Sequence, residues 1–261
     1  MPEHYTDINA KTIDSWVSGG WEWGRPISHE TYEKAKNGSW GVLLTPQIPV
    51  PKEWFAPYLQ NNRLDGVRLL GLASGGGQQM PVFAALGAVG TVLDYSDSQL
   101  NSEKMVAERE QYAIDIVKAD MTKPFPFEDG TFDLIFHPVS NCYVEDVYHV
   151  WNECSRVLKP GGVLLAGMDN GLNFLFDEEE GATVLTAKNR LPYNPLKNPA
   201  LMEEALRQDA GVQFSHSLEE QLGGQLQAGF TLTHLREDRD GEMLLSSYAP
   251  QYLMTRAVKN G

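Results

Sequence analysis

The sequence predicts a doubly wound α/β fold with a mostly parallel, seven-stranded sheet, and three observations support this prediction. Short apolar runs recur between residues 67 and 166, and their length is typical of strands that are buried on both faces. Segments with helical spacing separate these runs, which is the alternation expected of parallel strands joined by crossover helices. The tail departs from the alternation, because two apolar runs follow one another there and indicate a final antiparallel pair.

The individual elements follow from these runs and from the residues that interrupt them. Strands are predicted over residues 67–72, 91–94, 114–119, 132–136 and 163–166, with helices over 81–86, 99–110 and 145–157 between them. The last of these helices is predicted to stop at the turn Lys159-Pro160-Gly161-Gly162. After a helix over 217–228, strands over 230–235 and 252–258 are predicted to form the final pair without an intervening helix.

Two segments lie outside the alternation. Residues 1–60 are rich in tryptophan and proline and are predicted to form an N-terminal cap on the main domain, residues 61–261. Ser28 is expected to begin a helix in the cap, because its hydroxyl can accept a hydrogen bond from a free backbone amide. Residues 168–216 are too many for an ordinary connection and are predicted to form a lid insertion.

The composition narrows the classes of partner. The chain carries 21 Lys+Arg and 35 Asp+Glu, a net charge of −14, which disfavours nucleic acids and anionic membranes. The N-terminus lacks a signal-peptide pattern and no apolar run is long enough to span a bilayer, so we expect a cytoplasmic protein. The only cysteines, Cys142 and Cys154, stand in no metal-binding spacing, and no metal is expected.

In an open α/β sheet, ligands bind beyond the carboxyl ends of the strands. The loop Ser74–Gly77 follows the first predicted strand, where glycines let a ligand approach the backbone amides. Asp94 ends the second strand, where a carboxylate can accept bonds from two ribose hydroxyls, and Asp120 ends the third, where it can meet an adenine amine. Considered singly, the loop could be a tight turn, Asp94 a helix cap and Asp120 a turn aspartate. The three features together indicate a nucleoside site.

Five segments of the chain resemble the successive motifs of the class I S-adenosylmethionine (SAM)-dependent methyltransferases, whose fold is Rossmann-like. These segments are 69–77, 92–96, 119–121, 132–135 and 156–162. The resemblance covers about residues 66–167, and the tail resembles the family's final antiparallel strands. It implies that SAM is the cofactor, that S-adenosylhomocysteine is the product, and that the partner is a methyl acceptor.

The resemblance also implies roles for particular residues. The methionyl part of SAM would be bordered by Ala73, Ser74, Gly75, Gly76 and Gly77. Asp94 would bind the ribose, Asp120 and the Met121 amide the adenine, and Gln99 would lie against the adenine ring. Tyr95 belongs to the same cofactor-binding set, and His137 falls where the chain passes the sulfonium.

The chain departs from the family pattern at two positions of the first strand. Gly71 stands where an acidic residue is usual, and Ala73 stands where a glycine is usual. Without the carboxylate, the methionine ammonium must be held by backbone carbonyls or by a group from elsewhere in the chain. We expect that group to come from the N-terminal cap.

We expect methyl transfer to an O, N or S atom of a small molecule, a reaction that needs mainly alignment and desolvation. If the acceptor must lose a proton, His137 is the candidate base, because imidazole titrates near neutral pH; alternatively it only shapes the loop with Pro138. A non-catalytic module that binds SAM or a nucleoside is a second interpretation. A nicotinamide-dependent oxidoreductase is a third, although its fingerprint fails at Met80, where a small residue is required.

Overall fold

The computed structural model describes residues 4–177, 183–241 and 243–261. Its strands are β1 (Arg68–Leu72), β2 (Val89–Asp94), β3 (Ile114–Lys118), β4 (Phe132–His137), β5 (Leu158–Asp169), β6 (Phe176–Asp177), β7 (Thr186–Ala187), β8 (Phe230–Asp238) and β9 (Tyr252–Lys259). Within the described residues, seven of these strands form one sheet in the order β3-β2-β1-β4-β5-β9-β8, and β6 pairs with β7 separately.

Strand directions confirm the predicted architecture. Strands β1 to β5 pair in parallel, whereas β9 is antiparallel to both β5 and β8. The strand order reverses between β1 and β4, which places a crevice beyond the carboxyl ends of these two strands. The candidate ligand site is therefore expected at the loops that follow β1, β2, β3 and β4.

In the described ranges the α-helices are α1 (Tyr5–Ser18), α2 (His29–Lys36), α3 (Gln79–Ala85), α4 (Asp97–Glu110), α5 (Val147–Val157), α6 (Leu172–Leu175), α7 (Pro199–Arg207), α8 (Gly224–Gln227) and α9 (Leu244–Tyr248). As predicted, the Ser28 hydroxyl caps α2 by accepting a hydrogen bond from the Thr31 amide. No described helix combines the length and the apolar character that a membrane crossing requires.

The core lies on both faces of the sheet because neighbouring residues of a strand point to opposite sides. Leu69 of β1 packs into one cluster with Phe83 of α3 and Phe55 of the cap, all fully buried. Leu70 packs into the opposite cluster with Trp151 of α5. The segment before β1 therefore covers one face of the sheet and contributes to its core.

Several sequence predictions of local structure are wrong. Helix α1 was not foreseen, and α9 interrupts the final strand pair that was expected to lack a helix. The helix predicted over 217–228 begins as a π-helix, Glu219–Gly223, before α8. The predicted turn Lys159–Gly162 lies inside β5, where Gly161 has a φ of +76° and the pairing with β4 shifts register nearby.

Candidate functional site

A cavity of about 300 Å³ lies beyond the carboxyl ends of β1 to β4. Most of the residues predicted to bind a cofactor line it: Ala73, Ser74, Gly75, Asp94, Tyr95, Gln99, Asp120 and Met121. Gly76, Gly77 and His137 are not among the described residues that line it. Four successive strand ends and the loops after them thus meet at one cavity, as expected of a doubly wound sheet.

The glycine loop brings β1 close to the start of α4. A Cβ atom at Gly75 would lie 2.7 Å from the Cβ of Gln99 and 3.0 Å from Oδ2 of Asp94, so only glycine fits there. Gly77 faces away from the cavity: its carbonyl accepts a hydrogen bond from the Ile27 amide at 2.9 Å, and a Cβ there would meet Val106 at 2.7 Å. Gly77 therefore joins the loop to α4 and the cap.

Asp94 ends β2 with its carboxylate on the cavity wall. Its Oδ2 accepts a hydrogen bond from the Gly75 amide and its Oδ1 accepts one from the Ser96 amide, both at 3.0 Å. Burial raises the pKa of Asp94, and these backbone amides oppose that shift by stabilising the anion. The N-cap of α4 is Ser96, whose Oγ accepts from the Gln99 amide at 3.1 Å, so Asp94 is not needed as a helix cap.

Two further polar groups of the predicted set surround the same cavity. Asp120 forms a turn after β3, in which its Oδ1 accepts hydrogen bonds from the Thr122 amide at 2.8 Å and hydroxyl at 2.7 Å. The Oε1 atom of Gln99 is buried and has no hydrogen-bond partner in the part of the chain that the structure describes. A buried acceptor of this kind is unfavourable unless a ligand supplies the donor.

The first-strand departures have a physical explanation. A Cβ atom at Gly71 would lie 2.5 Å from the Met80 sulfur, so Met80 fills the space that an acidic side chain would need. Ala73 adopts a left-handed conformation with a φ of +47°, a region in which glycine carries no steric cost. Met80 thus accounts both for the missing carboxylate and for the failed dinucleotide fingerprint.

Helix α1 forms the roof of the cavity, and sequence reasoning missed it. Its residues Thr6, Asn9, Ala10 and Ile13 line the cavity. Its buried positions include Thr6, Asn9 and Thr12, a polar stripe that a search for apolar periodicity does not detect. The available signal was His4, whose side chain caps the helix by accepting from the Thr6 amide.

Two acidic side chains of α1 tie the roof to the end of β2. The Asp14 Oδ1 accepts hydrogen bonds from the Ser96 hydroxyl at 2.5 Å and from the Ser98 amide at 2.8 Å. The Tyr95 hydroxyl donates to Asp7 at 2.7 Å. Tyr95 and Ser96 follow Asp94 directly, so the roof is attached next to the carboxylate predicted to bind ribose.

The lid segment closes the other side of the roof. The Asn9 side chain donates to the Val212 carbonyl at 3.0 Å and accepts from the Val212 amide at 2.6 Å. Tyr5 packs against Phe214 with ring centroids 5.2 Å apart, and the Phe214 amide donates to the Cys142 carbonyl at 2.7 Å. The cavity therefore lies between the strand ends, α1 and the lid segment, from which Gln213 lines it.

His137 ends β4, as predicted, but it is not among the described residues that line the cavity. It is fully buried, its Nδ1 lies 3.0 Å from the Leu72 carbonyl oxygen, and its Nε2 lies 2.8 Å from Oδ1 of Asn141. Burial lowers the pKa of this imidazole, which favours the neutral form. Because both ring nitrogens have partners, this position favours the alternative given above, in which His137 shapes the loop after β4, over the roles of general base and cofactor contact.

A doubly wound sheet with a glycine loop and carboxylates at successive strand ends defines an α/β protein that binds a nucleoside-type cofactor. Residues 70–166 match the methyltransferase domain family. The chain is 43% identical over 254 residues to the uncharacterized methyltransferase YbaJ of Bacillus subtilis (strain 168), covering 96% of this chain and 97% of that protein. The chain therefore belongs to the class I SAM-dependent methyltransferases, and the expectation of an oxidoreductase is wrong.

Solved structures support the same fold at low sequence identity. A SAM-dependent methyltransferase from Mesorhizobium loti is 18% identical, with a TM-score of 0.64 over 79% of this chain and 95% of that one. Geranyl diphosphate C-methyltransferase from Streptomyces coelicolor A3(2), solved with S-adenosylhomocysteine, is 15% identical, with a TM-score of 0.53 over 79% and 77% of the two chains. SAM is the cofactor of this family, and the chain is a SAM-dependent methyltransferase.

The residues of the cavity fit this cofactor. Asp94 presents a carboxylate on the wall, Gln99 presents an unpartnered carbonyl oxygen, and Gly75 leaves the loop without a side chain. These groups lie around one cavity and match the polar atoms of a nucleoside joined to an amino acid.

Proposed function

We propose that the protein transfers the methyl group of SAM to an O, N or S atom of a small molecule held in the cavity at the strand ends. The observation that carries the proposal is the partial cover over the strand ends, which α1 and the lid residues 212–214 form together. The volume of about 300 Å³ is at the lower end of the range for small-ligand sites. The described lining contains no Lys, Arg or His, which disfavours nucleic acid as the acceptor.

Within this proposal, the side chains at the strand ends hold the cofactor. Asp94 binds the ribose hydroxyls, because carboxylate oxygens that each accept one amide retain further acceptor capacity. Asp120 and the Met121 amide contact the adenine, and Gln99 lies against it with its free Oε1. Ala73, Ser74 and Gly75 border the methionyl part. Bound SAM supplies an electrophilic methyl group on a sulfonium.

The contribution of the chain is then alignment and exclusion of water. Tyr143 and Tyr252 line the cavity, and burial raises the pKa of both phenols, so they stay protonated near neutral pH. No imidazole is found among the described lining residues. An acceptor atom with an available lone pair suits this site better than one that needs a strong base.

The direct experiment supplies methyl-labelled SAM and an extract separated into small molecules and macromolecules. We expect label in the small-molecule fraction. Label found only in protein or nucleic acid would overturn the small-molecule assignment, and binding of S-adenosylhomocysteine without any transfer would favour a non-catalytic module.

Asp94→Ala tests the cofactor residues by calorimetry with S-adenosylhomocysteine. We expect at least a tenfold rise in Kd, because two ribose hydroxyls lose a charged acceptor. Asp115→Asn removes the same charge from an exposed position on β3 and is the matched control. An unchanged Kd in Asp94→Ala would refute the ribose assignment.

A further inference from the structure

We infer that the end of the cavity at β5 and β9 is built for an acceptor that carries an ammonium group, and that Asp169 sets this preference. The inference rests on the proposed function, because it names the class of acceptor for the same site. Its basis is a buried carboxylate oxygen without a donor, placed behind a wall of aromatic side chains.

The wall of this end is aromatic and uncharged. Cys142, Tyr143 and Tyr252 line it, and Trp21 and Trp23 line the same cavity from the cap. Aromatic faces attract cations through their quadrupole and give anions no comparable contact. The lining supplies no positive side chain among the described residues to bind a carboxylate or phosphate.

Asp169 lies directly behind this wall. It is the last residue of β5, it pairs in register with Tyr252 of β9, and its side chain is buried. Its negative charge contributes to the raised pKa values of Cys142 and Tyr252, so its carboxyl lies close to two lining side chains. The position is set by the sheet itself, because β9 runs antiparallel beside β5.

One oxygen of Asp169 has no partner. Oδ1 accepts a hydrogen bond from the Gly171 amide at 2.8 Å, whereas Oδ2 is buried without a donor in the described ranges. Burial raises the pKa of Asp169 to about 6, and the hydrogen bond from the Gly171 amide opposes that shift only in part. Asp169 is not among the residues that line the cavity, so it acts on a ligand there through its negative charge, which favours a cation.

A second unpartnered oxygen belongs to the same cluster. Asn173 forms a hydrogen bond with the Tyr252 side chain, and its Oδ1 is likewise buried without a donor in the part described. The other charged group acting on Tyr252 is Asp240, which is also acidic. The cluster therefore places negative charge and unpaired oxygens behind the aromatic wall, and this favours a positive charge on the ligand in the cavity.

Three probes that share a phenethyl group and carry head groups of different charge test the inference by calorimetry on protein saturated with S-adenosylhomocysteine. They are phenethylamine (cationic), 2-phenylethanol (neutral) and 3-phenylpropionate (anionic). We expect the amine to bind at least tenfold more tightly than the alcohol, and the carboxylate not to saturate. Equal affinities, or no saturable binding of the amine, would overturn the inference on wild-type protein alone.

The variant Asp169→Asn assigns the preference to its residue. Asparagine keeps the Oδ1 acceptor for the Gly171 amide, so the fold is retained, and a melting curve checks this. We expect the preference for the amine over the alcohol to fall to within about threefold, as judged from the loss of one charge–charge contact. As the control, Asp115→Asn should keep the preference for the amine over the alcohol. An unchanged preference in Asp169→Asn would show that Asp169 does not set it.

The order of measurements separates the two proposals. Binding of S-adenosylhomocysteine is measured first, and its absence would refute the cofactor site and with it the proposed function. Binding of S-adenosylhomocysteine without selectivity for the amine would refute only the assignment of an ammonium-bearing acceptor.

Discussion

Replacing Gly71 by alanine tests whether Met80 fills the position that is acidic in related methyltransferases. The added Cβ would lie 2.5 Å from the Met80 sulfur and 3.0 Å from its Cγ, both inside contact distance. Gly71 lies in the middle of β1, and both neighbouring strands pair with it, so the backbone cannot move away freely. The strain must therefore be taken up by Met80.

Overpacking of this kind costs about 1–3 kcal/mol. We expect Gly71→Ala to lower the free energy of unfolding by about 2 kcal/mol, which corresponds to a fall in Tm of about 4–8 °C for a chain of this size. Urea unfolding followed by far-UV circular dichroism measures the difference. Gly223→Ala is the control, because its nearest neighbour would be Glu219 Cγ at a comfortable 3.7 Å.

A double-mutant cycle with Met80→Ala identifies the source of the strain. Met80→Ala alone should be destabilising because it leaves a cavity in a site that is 1% exposed. Combined with Gly71→Ala, the loss should be smaller than the sum of the two single losses, since the new methyl group occupies vacated space. Additive losses, or a Gly71→Ala protein as stable as wild type, would refute the reasoning.

Three further predictions concern stability and the roof. Ala73→Gly should raise the free energy of unfolding by up to about 1 kcal/mol, because glycine adopts the left-handed φ of +47° without steric cost. The control Ala107→Gly in α4 should lower the free energy of unfolding by about as much. Changes of the same sign in the two variants would contradict this prediction. Burial raises the pKa of Glu103 to about 7 from 4.5, so its contribution to stability is complete below pH 4.5 and lost as the pH rises to 7. Wild type should therefore lose up to about 3 kcal/mol relative to Glu103→Gln over this interval, and a constant difference in urea titrations would exclude the titration. Asp14→Ala should raise the Kd for S-adenosylhomocysteine by about 3–10-fold, because the Ser96 hydroxyl and the Ser98 amide lose their acceptor, a loss of about 1 kcal/mol. An unchanged Kd would show that the attachment of α1 does not affect cofactor binding.

Much of the sheet and half of the site could be predicted from local patterns. Apolar runs of strand length alternate with helical segments, and parallel strands must present their carboxyl ends at one edge. That rule alone brought Asp94, Asp120 and the loop after β1 to a single cavity. The Ser28 cap was equally local, because a capping hydroxyl and its amide lie three residues apart.

Contacts between distant parts of the chain could not be predicted in this way. Helix α1 buries polar residues whose partners lie about 200 positions away, as Asn9 and Val212 do. The pattern of Tyr5–Ser18 lacks the apolar stripe that marks most helices that pack on a sheet. Its role as a roof therefore became visible only with the tertiary structure.

His137 and Gly71 show the same division. The position of His137 at the end of β4 followed from the strand pattern, but the orientation of its ring depends on the Leu72 carbonyl and Asn141, which engage both ring nitrogens. The glycine at position 71 is visible in the sequence, but the reason for it is the Met80 sulfur. The positions of the strands along the chain and the residues at their ends are decided by short-range patterns of burial and turn chemistry. Packing between segments that only the folded chain brings together decides which side chains face the cavity. It also decides which polar groups already have a hydrogen-bond partner within the protein.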